Sequence, residues 1–493
     1  MNLFKNIIYL FTVVTLLQSC YKDDSSGVSI ELPDYHVTGI PADFVLNSRI
    51  DQLHVNPKFD ADFQESDYSF LWLLYSENFN NNTGVVASAD TLSSTKDINY
   101  FITQEPGSYI LTFQIKHNQT GVSKILTYPL TITTTTMTGW YFLKEYEGKT
   151  DFDFYYPDGV IKNWFLEFNG QSLQGTHGKS VFVKDMKTSL TSTDLFSAFG
   201  VITDQDVAFF NVENGQKVYS FEDMFFSVPS IKKPENILAP MDGSVVLIND
   251  GRAYTRTNGT LFANPAVNSY HFSSKAAVTS NLLLYDELSK TMVYSSFSGY
   301  SQLLSNGDPL KNTGSDLWWF EGYPSLRNTA ALILKDPATL KGRLMTLNTA
   351  YANWIIATNP LIVTNKEIPA ENPILNAEVI AGNYDNDMLY YAKDNELYLM
   401  DFVSLQSTLQ ASFAPGEEIT CIQHIKYPVP VPGAQNKVNH IAVATYSNGK
   451  YKIYLFSITS LGTLVAKTSA DYEGEGRVSC IHYLENGQGS RVF

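Results

Sequence analysis

The chain has 493 residues, with 50 acidic against 34 basic side chains and a formal charge of −16. That acidic excess, with no basic block to offset it, excludes an electrostatic nucleic-acid footprint, so no nucleic-acid partner is expected. Hydrophobic residues at 44% and charged residues at 17% mark a folded rather than a disordered chain, with length for two to four domains. The 30 Tyr and 30 Phe favour strands over helices.

At the N-terminus, Lys5 precedes an apolar or small-polar run over residues 7–17, followed by Leu17-Gln18-Ser19-Cys20. A positive start, an apolar core and small residues before a cleavage point are the parts of an export signal. Eleven residues are too few for a membrane-spanning helix, which needs roughly 20. The Cys after Leu-x-Ser resembles a bacterial lipobox. This resemblance implies cleavage before Cys20 and acylation of that residue, and two or more acyl chains anchor firmly where one does not. Tyr21-Lys22-Asp23-Asp24 resembles the surface-export signal of Bacteroidota lipoproteins. Residues 1–20 are therefore expected to be a lipoprotein signal peptide and 21–28 a linker. The expected location is the outer membrane, lipid-anchored and exposed at the cell surface.

Residues 29–135 read as short alternating strands with polar breaks. Ser69-Phe70-Leu71-Trp72-Leu73-Leu74-Tyr75 has strand length, and residues 78–84 form a turn cluster. Residues 106–117 read as a turn leading into an alternating strand. Asn118-Gln119-Thr120-Gly121 then predicts a hairpin returning over 122–132. About seven short strands in roughly 100 residues suit an immunoglobulin-like sandwich, with Trp72 and Tyr109 as its large core aromatic and its corner tyrosine. Pro106-Gly107-x-Tyr109-x-Leu111-x-Phe113-x-Ile115, with Trp72 upstream, resembles a PKD-type module. Behind Cys20 and ahead of Thr138-Gly139-Trp140, it resembles the PKD-like family of Bacteroidota lipoproteins. The Asp-Phe-Gly-Asp turn usual after the PKD tryptophan is replaced by Leu73-Leu74-Tyr75, so no turn function is carried over.

From 138 to 493 one pattern recurs: an apolar run, a polar turn, then an alternating strand. The runs start at Val207, Val245, Leu282, Leu332, Met388 and Ile441, at spacings of 38, 37, 50, 56 and 53 residues. An irregular period near 50 predicts a β-propeller with degenerate blades. The 354 residues from Trp140 onward give roughly seven of them. Each apolar run is expected to be the buried inner strand of its blade. Glu418-Ile419-Thr420-Cys421-Ile422-Gln423-His424 and Arg477-Val478-Ser479-Cys480-Ile481-His482 read as the same strand in successive repeats. The fold class is thus all-β, a sandwich followed by a seven-bladed propeller, with further sandwiches as the competing reading.

The only cysteines beyond Cys20 are Cys421 and Cys480, which leave a disulfide or two buried thiols both open. No catalytic or metal motif is present, so no catalytic residue, metal or cofactor is assigned. His424 and His482, read as equivalent positions, are expected to be structural. The one exposed-looking aromatic cluster is Trp318, Trp319 and Tyr323, which is the candidate ligand site because indole faces stack on sugar rings. Alternation would send Trp318 and Trp319 to opposite faces of a strand. The resulting expectation is a surface binding module that captures glycan or another polymer. The PKD-like resemblance implies a companion role to an outer-membrane nutrient-uptake complex. A polysaccharide hydrolase or lyase, or a protein-contact and adhesion module, is the alternative.

Overall fold

The structure is a computed structural model. It describes residues 35–48, 50–76, 89–104, 106–193, 195–241, 243–265, 270–279, 282–295, 300–302, 308–323, 328–349, 361–383, 385–427, 438–485 and 488–489. The signal peptide, Cys20, the linker and the turn cluster over 78–84 lie outside the described residues. The chain divides into two compact units, Met1–Thr133 and Thr134–Phe493.

In the first unit, Tyr68–Ser76, Gly107–His117 and Ser123–Thr133 are the long strands of a five-stranded sheet. The predicted hairpin is present: Gly107–His117 pairs antiparallel with Ser123–Thr133, and Gly121 takes φ +73° in the turn between them. Phe44–Asn47 adds in parallel at one edge and Asp90–Ser93 at the other. Two short strand pairs complete the sandwich, Gln52–Val55 with Ile98–Phe101 and Val37–Thr38 with Lys58–Phe59. Trp72 is the centre of the core. Its ring stacks on Phe113 at 4.2 Å, and its indole N–H donates to the Lys96 carbonyl at 3.0 Å. That bond removes the cost of burying the one polar atom of a large apolar side chain. Tyr109 is half-buried against the same core.

The second unit is a seven-bladed propeller. Blade 1 consists of Lys179–Met186, Phe196–Ile202, Val207–Asn211 and Lys217–Ser220. Blades 2 to 6 begin with the inner strands Pro234–Met241, Ala277–Val278, Asp316–Tyr323, Ile380–Gly382 and Glu418–Tyr427. Blade 7 is composite. Its inner strand Arg477–Glu485 comes from the C-terminal end of the unit and pairs with Gly139–Tyr146 from the N-terminal end, which continues into Lys149–Tyr156 and Gly159–Ile161. Each inner strand touches the next, and the inner strand of blade 7 touches that of blade 1, so the ring closes.

The apolar runs occupy a different strand from the one predicted. In blades 2 to 6 they fall on the second strand, and in blade 1 the run at Val207 is the third strand, with Phe196–Ile202 in the second place. This explains the short first spacing. The cause is packing. A second strand is covered on both faces by neighbouring blades, whereas an inner strand turns part of its surface to the channel. Along Leu282–Asp286, Leu282 and Leu284 pack toward blade 2 while Leu283 and Tyr285 pack toward blade 4. Alternation therefore gives no polar face, and the strand reads as continuous apolar sequence. Seven apolar walls result, one between each pair of neighbours.

Close approach of the inner strands fixes particular residues. At Gly322 in blade 4, a Cβ atom would lie 2.1 Å from the Val278 carbonyl oxygen of blade 3, so no other residue fits without moving the strands apart. In the wall of blade 7, the buried Lys144 ammonium lies 2.8 Å from Asp153, which also accepts from the Tyr451 hydroxyl at 2.8 Å and the Asn163 N–H at 3.0 Å. A buried charge pair is tolerated when its remaining lone pairs are taken up in this way. A six-residue helix, Trp164–Asn169, follows this blade and was not legible as a periodic segment. Its first N–H groups, at Phe165 and Leu166, donate to the Asp151 carboxylate.

Candidate functional site

The inner strands of blades 1, 2, 3, 6 and 7 enclose a cavity of about 200 Å³ in the central channel. Its polar lining comes from Lys179 and Ser180 of blade 1, Asn236 of blade 2, Gln423 of blade 6, and Ser479 and Cys480 of blade 7; Ile237 and Val278 are among its apolar lining. Strand alternation places these side chains. In blade 1, Val181 and Val183 enter the wall toward blade 2, so Ser180 between them and Lys179 turns the other way, toward blade 7.

The hydrogen bonds around the cavity consume acceptors and leave donors. The Asn236 side-chain oxygen accepts from the Ile237 N–H at 2.9 Å, and the Gln423 side-chain oxygen accepts from the Ile481 N–H at 2.7 Å. A main-chain N–H fixes which end of each amide is oxygen, so both NH₂ groups are the donating ends, that of Gln423 lying beside the Cys480 thiol. Ser180 Oγ lies 2.7 Å from His482 Nε2. Lys179 keeps solvent contact within the channel and donates to the Glu235 carbonyl at 2.8 Å. The surrounding protein lowers its pKa, and the nearby Lys275 charge lowers it further, against a smaller opposite effect of Glu235. Lys275, one residue before the lining Ala276, is likewise lowered by desolvation and donates to the Leu317 carbonyl at 3.1 Å.

The Ser180–His482 contact has the spacing of a nucleophile and base. Its electrostatics favour a structural role. His482 is fully buried, and desolvation pushes its pKa down to about 3; its Nδ1 has no hydrogen-bond partner among the described residues. A base of that strength has little tendency to take the Ser180 proton, and among the described residues no hydrogen-bond partner orients the ring from behind. Cys480 is buried beside it, with Sγ 3.4 Å from His482 Nε2, and burial raises its pKa. Cys421 and Cys480 are both free thiols.

His424 and His482 are not equivalent positions. Cys421 packs into the wall between blades 6 and 7, and Cys480 into the wall between blades 7 and 1, so each faces the following blade. His482, two residues after Cys480, stays on that face. His424, three residues after Cys421, turns to the opposite face, toward blade 5, where its Nε2 meets Asn439 Oδ1 at 2.7 Å. Burial lowers its pKa to about 4.

The aromatic cluster is arranged differently from the alternation prediction. A register irregularity between Leu317 and Trp319 puts both indoles on the wall between blades 4 and 5. Trp319 is buried there. Trp318 is half-buried, with its N–H donating to the Ile374 carbonyl at 3.0 Å and the Lys335 ammonium 4.4 Å from its ring centre. Tyr323 lies at the end of the same strand, opposite Thr329, and its side chain is outside the described residues. Among the described residues, no group of three or more His, Cys, Asp or Glu side chains is placed to hold a metal ion. The cavity residues Lys179, Ser180, Asn236 and Gln423 escaped the sequence reading. Only the Cys421 and Cys480 echo pointed toward the strand of Gln423, and no signal pointed to the strands of Lys179, Ser180 and Asn236.

Comparison with known proteins gives one partial family match and several similar solved structures. The chain is similar to a quinonprotein alcohol dehydrogenase-like protein of Bacteroides thetaiotaomicron, at 12% identity and a TM-score of 0.45, over 92% of this chain and 100% of that one. It is similar to a DUF4784 family protein of Bacteroides caccae, at 9% identity and a TM-score of 0.33, over 78% and 97%. It is also similar to the WD40 domain of SCAP from fission yeast, at 12% identity and a TM-score of 0.32, over 56% and 66%. No curated protein matches the chain. A PKD-like domain of extracellular type is compatible with a surface binding module. The resemblance carried by Trp72 and the Pro106 to Ile115 motif is met by a family match: residues 20–176 match the PKD-like family.

Proposed function

We propose that this protein is a binding module, tethered at the cell surface through acylated Cys20, that captures a glycan or other polymer for a nutrient-uptake complex in the outer membrane. The observation that carries this reading is the channel cavity of about 200 Å³, walled by five inner strands and lined by polar groups. Its size is below the roughly 300–1,000 Å³ of sites that hold drug-sized ligands. It suits one terminal unit of a polymer or a small polar solute, with the rest of a chain leaving through the channel mouth. A rigid ring of blades holds the lining in place before the ligand arrives, which limits the ordering cost of binding.

The test is affinity electrophoresis of the full chain in detergent through gels containing a panel of neutral and acidic polysaccharides. Retardation by at least one polymer is expected. Migration unchanged in every gel would defeat the reading. Release of soluble products from a retained polymer would replace it with the hydrolase or lyase alternative. Co-purification with an outer-membrane partner and no retardation would favour the adhesion alternative.

A further inference from the structure

Lys179, Ser180, Asn236 and Gln423 meet at the channel cavity from three blades, and each presents a donor. Both amide oxygens are engaged by main-chain N–H groups at 2.7–2.9 Å. A proton on His482 Nε2 makes Ser180 Oγ the acceptor of that 2.7 Å bond and leaves the unpartnered Nδ1 as a bare lone pair. The Ser180 O–H is then free to donate into the cavity. Lys179 brings a positive charge, and Lys275 stands close enough to repel it. Two of the carboxylates near this lysine pair are engaged elsewhere, while Glu287 acts on Lys275. Glu235 accepts from Lys233 at 2.9 Å and from the Gly251 N–H at 2.7 Å, and Asp316 pairs with Lys290 at 2.7 Å. Among the described residues, no Asp or Glu lines the cavity.

A chain with net charge −16 thus holds, at its central cavity, an ammonium group, two amide NH₂ groups and a hydroxyl, with no carboxylate among the described lining residues. Such a set satisfies an acceptor-rich anion and leaves a neutral alcohol group with too few acceptors. We propose that the cavity is an oxyanion site that takes the carboxylate, sulfate or phosphate group of an acidic ligand. This proposal deepens the binding-module reading, and rests on it for the claim that the anion is borne by a polymer. Lys179 supplies the charge, Asn236 and Gln423 supply NH₂ groups from opposite sides, and the Ser180 hydroxyl, held by His482, closes the set.

Calorimetric titration of the full chain in detergent tests this with trigalacturonate, its methyl ester and sodium sulfate, alongside the Lys179→Met and Asn236→Asp variants. Asn236→Asp keeps the oxygen that serves the Ile237 N–H and exchanges the donor for a negative charge, so it preserves the fold and reverses the chemistry. The acid is expected to bind at least tenfold more tightly than the ester. Sulfate is expected to compete with the acid and to raise the melting temperature. Lys179→Met should lose tenfold or more, and Asn236→Asp should abolish both effects with its own melting temperature unchanged. Equal binding of acid and ester, wild-type affinity in Lys179→Met, or no response to either anion overturns the proposal. Sulfate protection that Lys179→Met removes, with no polymer retained in the gels, leaves the anion site standing and removes the polymer reading. Polymer retention without any anion response does the reverse.

Discussion

At the scale of single residues, buried ionisable groups set how this fold responds to pH. His482 and His424 are buried neutral, with pKa values pushed down to about 3 and about 4. The unfolded chain protonates both near 6.5. Between those limits the unfolded state binds more protons, so stability is lost as pH falls from about 6.5. Asp151 acts in the opposite direction. Burial raises its pKa to about 6 despite donors from Ser172, Phe165, Leu166 and Phe152, so between about pH 4 and pH 6 the folded state holds a proton that the unfolded state releases. Among these three groups, the two histidines outweigh the aspartate on acidification. His482→Gln should flatten the dependence of urea-unfolding free energy on pH, between pH 6 and 4, by about 1.4 kcal/mol per pH unit, the slope carried by one proton. An unchanged slope in that variant would show that His482 titrates normally in the folded state.

At the scale of elements, the inner strand of blade 7 has the largest structural task. Arg477–Glu485 supplies Cys480 and Leu484 to the wall with blade 1 and Val478, Ile481 and Tyr483 to the wall with blade 6. It also covers the edge of Gly139–Tyr146, which would otherwise present unpaired backbone groups. Ile481→Ala should therefore cost about 2–5 kcal/mol, as truncation of a fully buried aliphatic side chain does. Chemical denaturation measures it, and a cost under about 1 kcal/mol would show that the ring does not depend on this strand for closure. The register irregularity between Leu317 and Trp319 belongs to the same scale. One displaced residue turned an expected inside–outside tryptophan pair into two indoles on a single wall.

At the scale of the whole molecule, a sandwich unit and a propeller unit follow a segment whose residues imply export and acylation. Replacing Cys20 with Ala should leave the melting temperature unchanged, end incorporation of radiolabelled palmitate, and move the protein from the membrane pellet to the soluble fraction. Label entering the variant as strongly as the wild type would refute the anchor.

What the sequence determined by itself was class and repetition. Apolar runs with a period near 50 and a scarcity of helical periodicity favoured a ring of sheets over further sandwiches, because strands buried on both faces carry no polar alternation. The PKD-like motif was legible for a similar reason: its residues are neighbours along one hairpin and its core, from Trp72 to Ile115. What only the tertiary structure decided was which strand of each blade carries the run, how the two ends of the propeller share blade 7, and where the cavity lies. Lys179, Asn236 and Gln423 are separated by up to 244 residues and belong to no common motif. They meet because five inner strands converge on one axis. Their donor character depends on which main-chain N–H each amide oxygen serves, and that is fixed by register rather than by residue type.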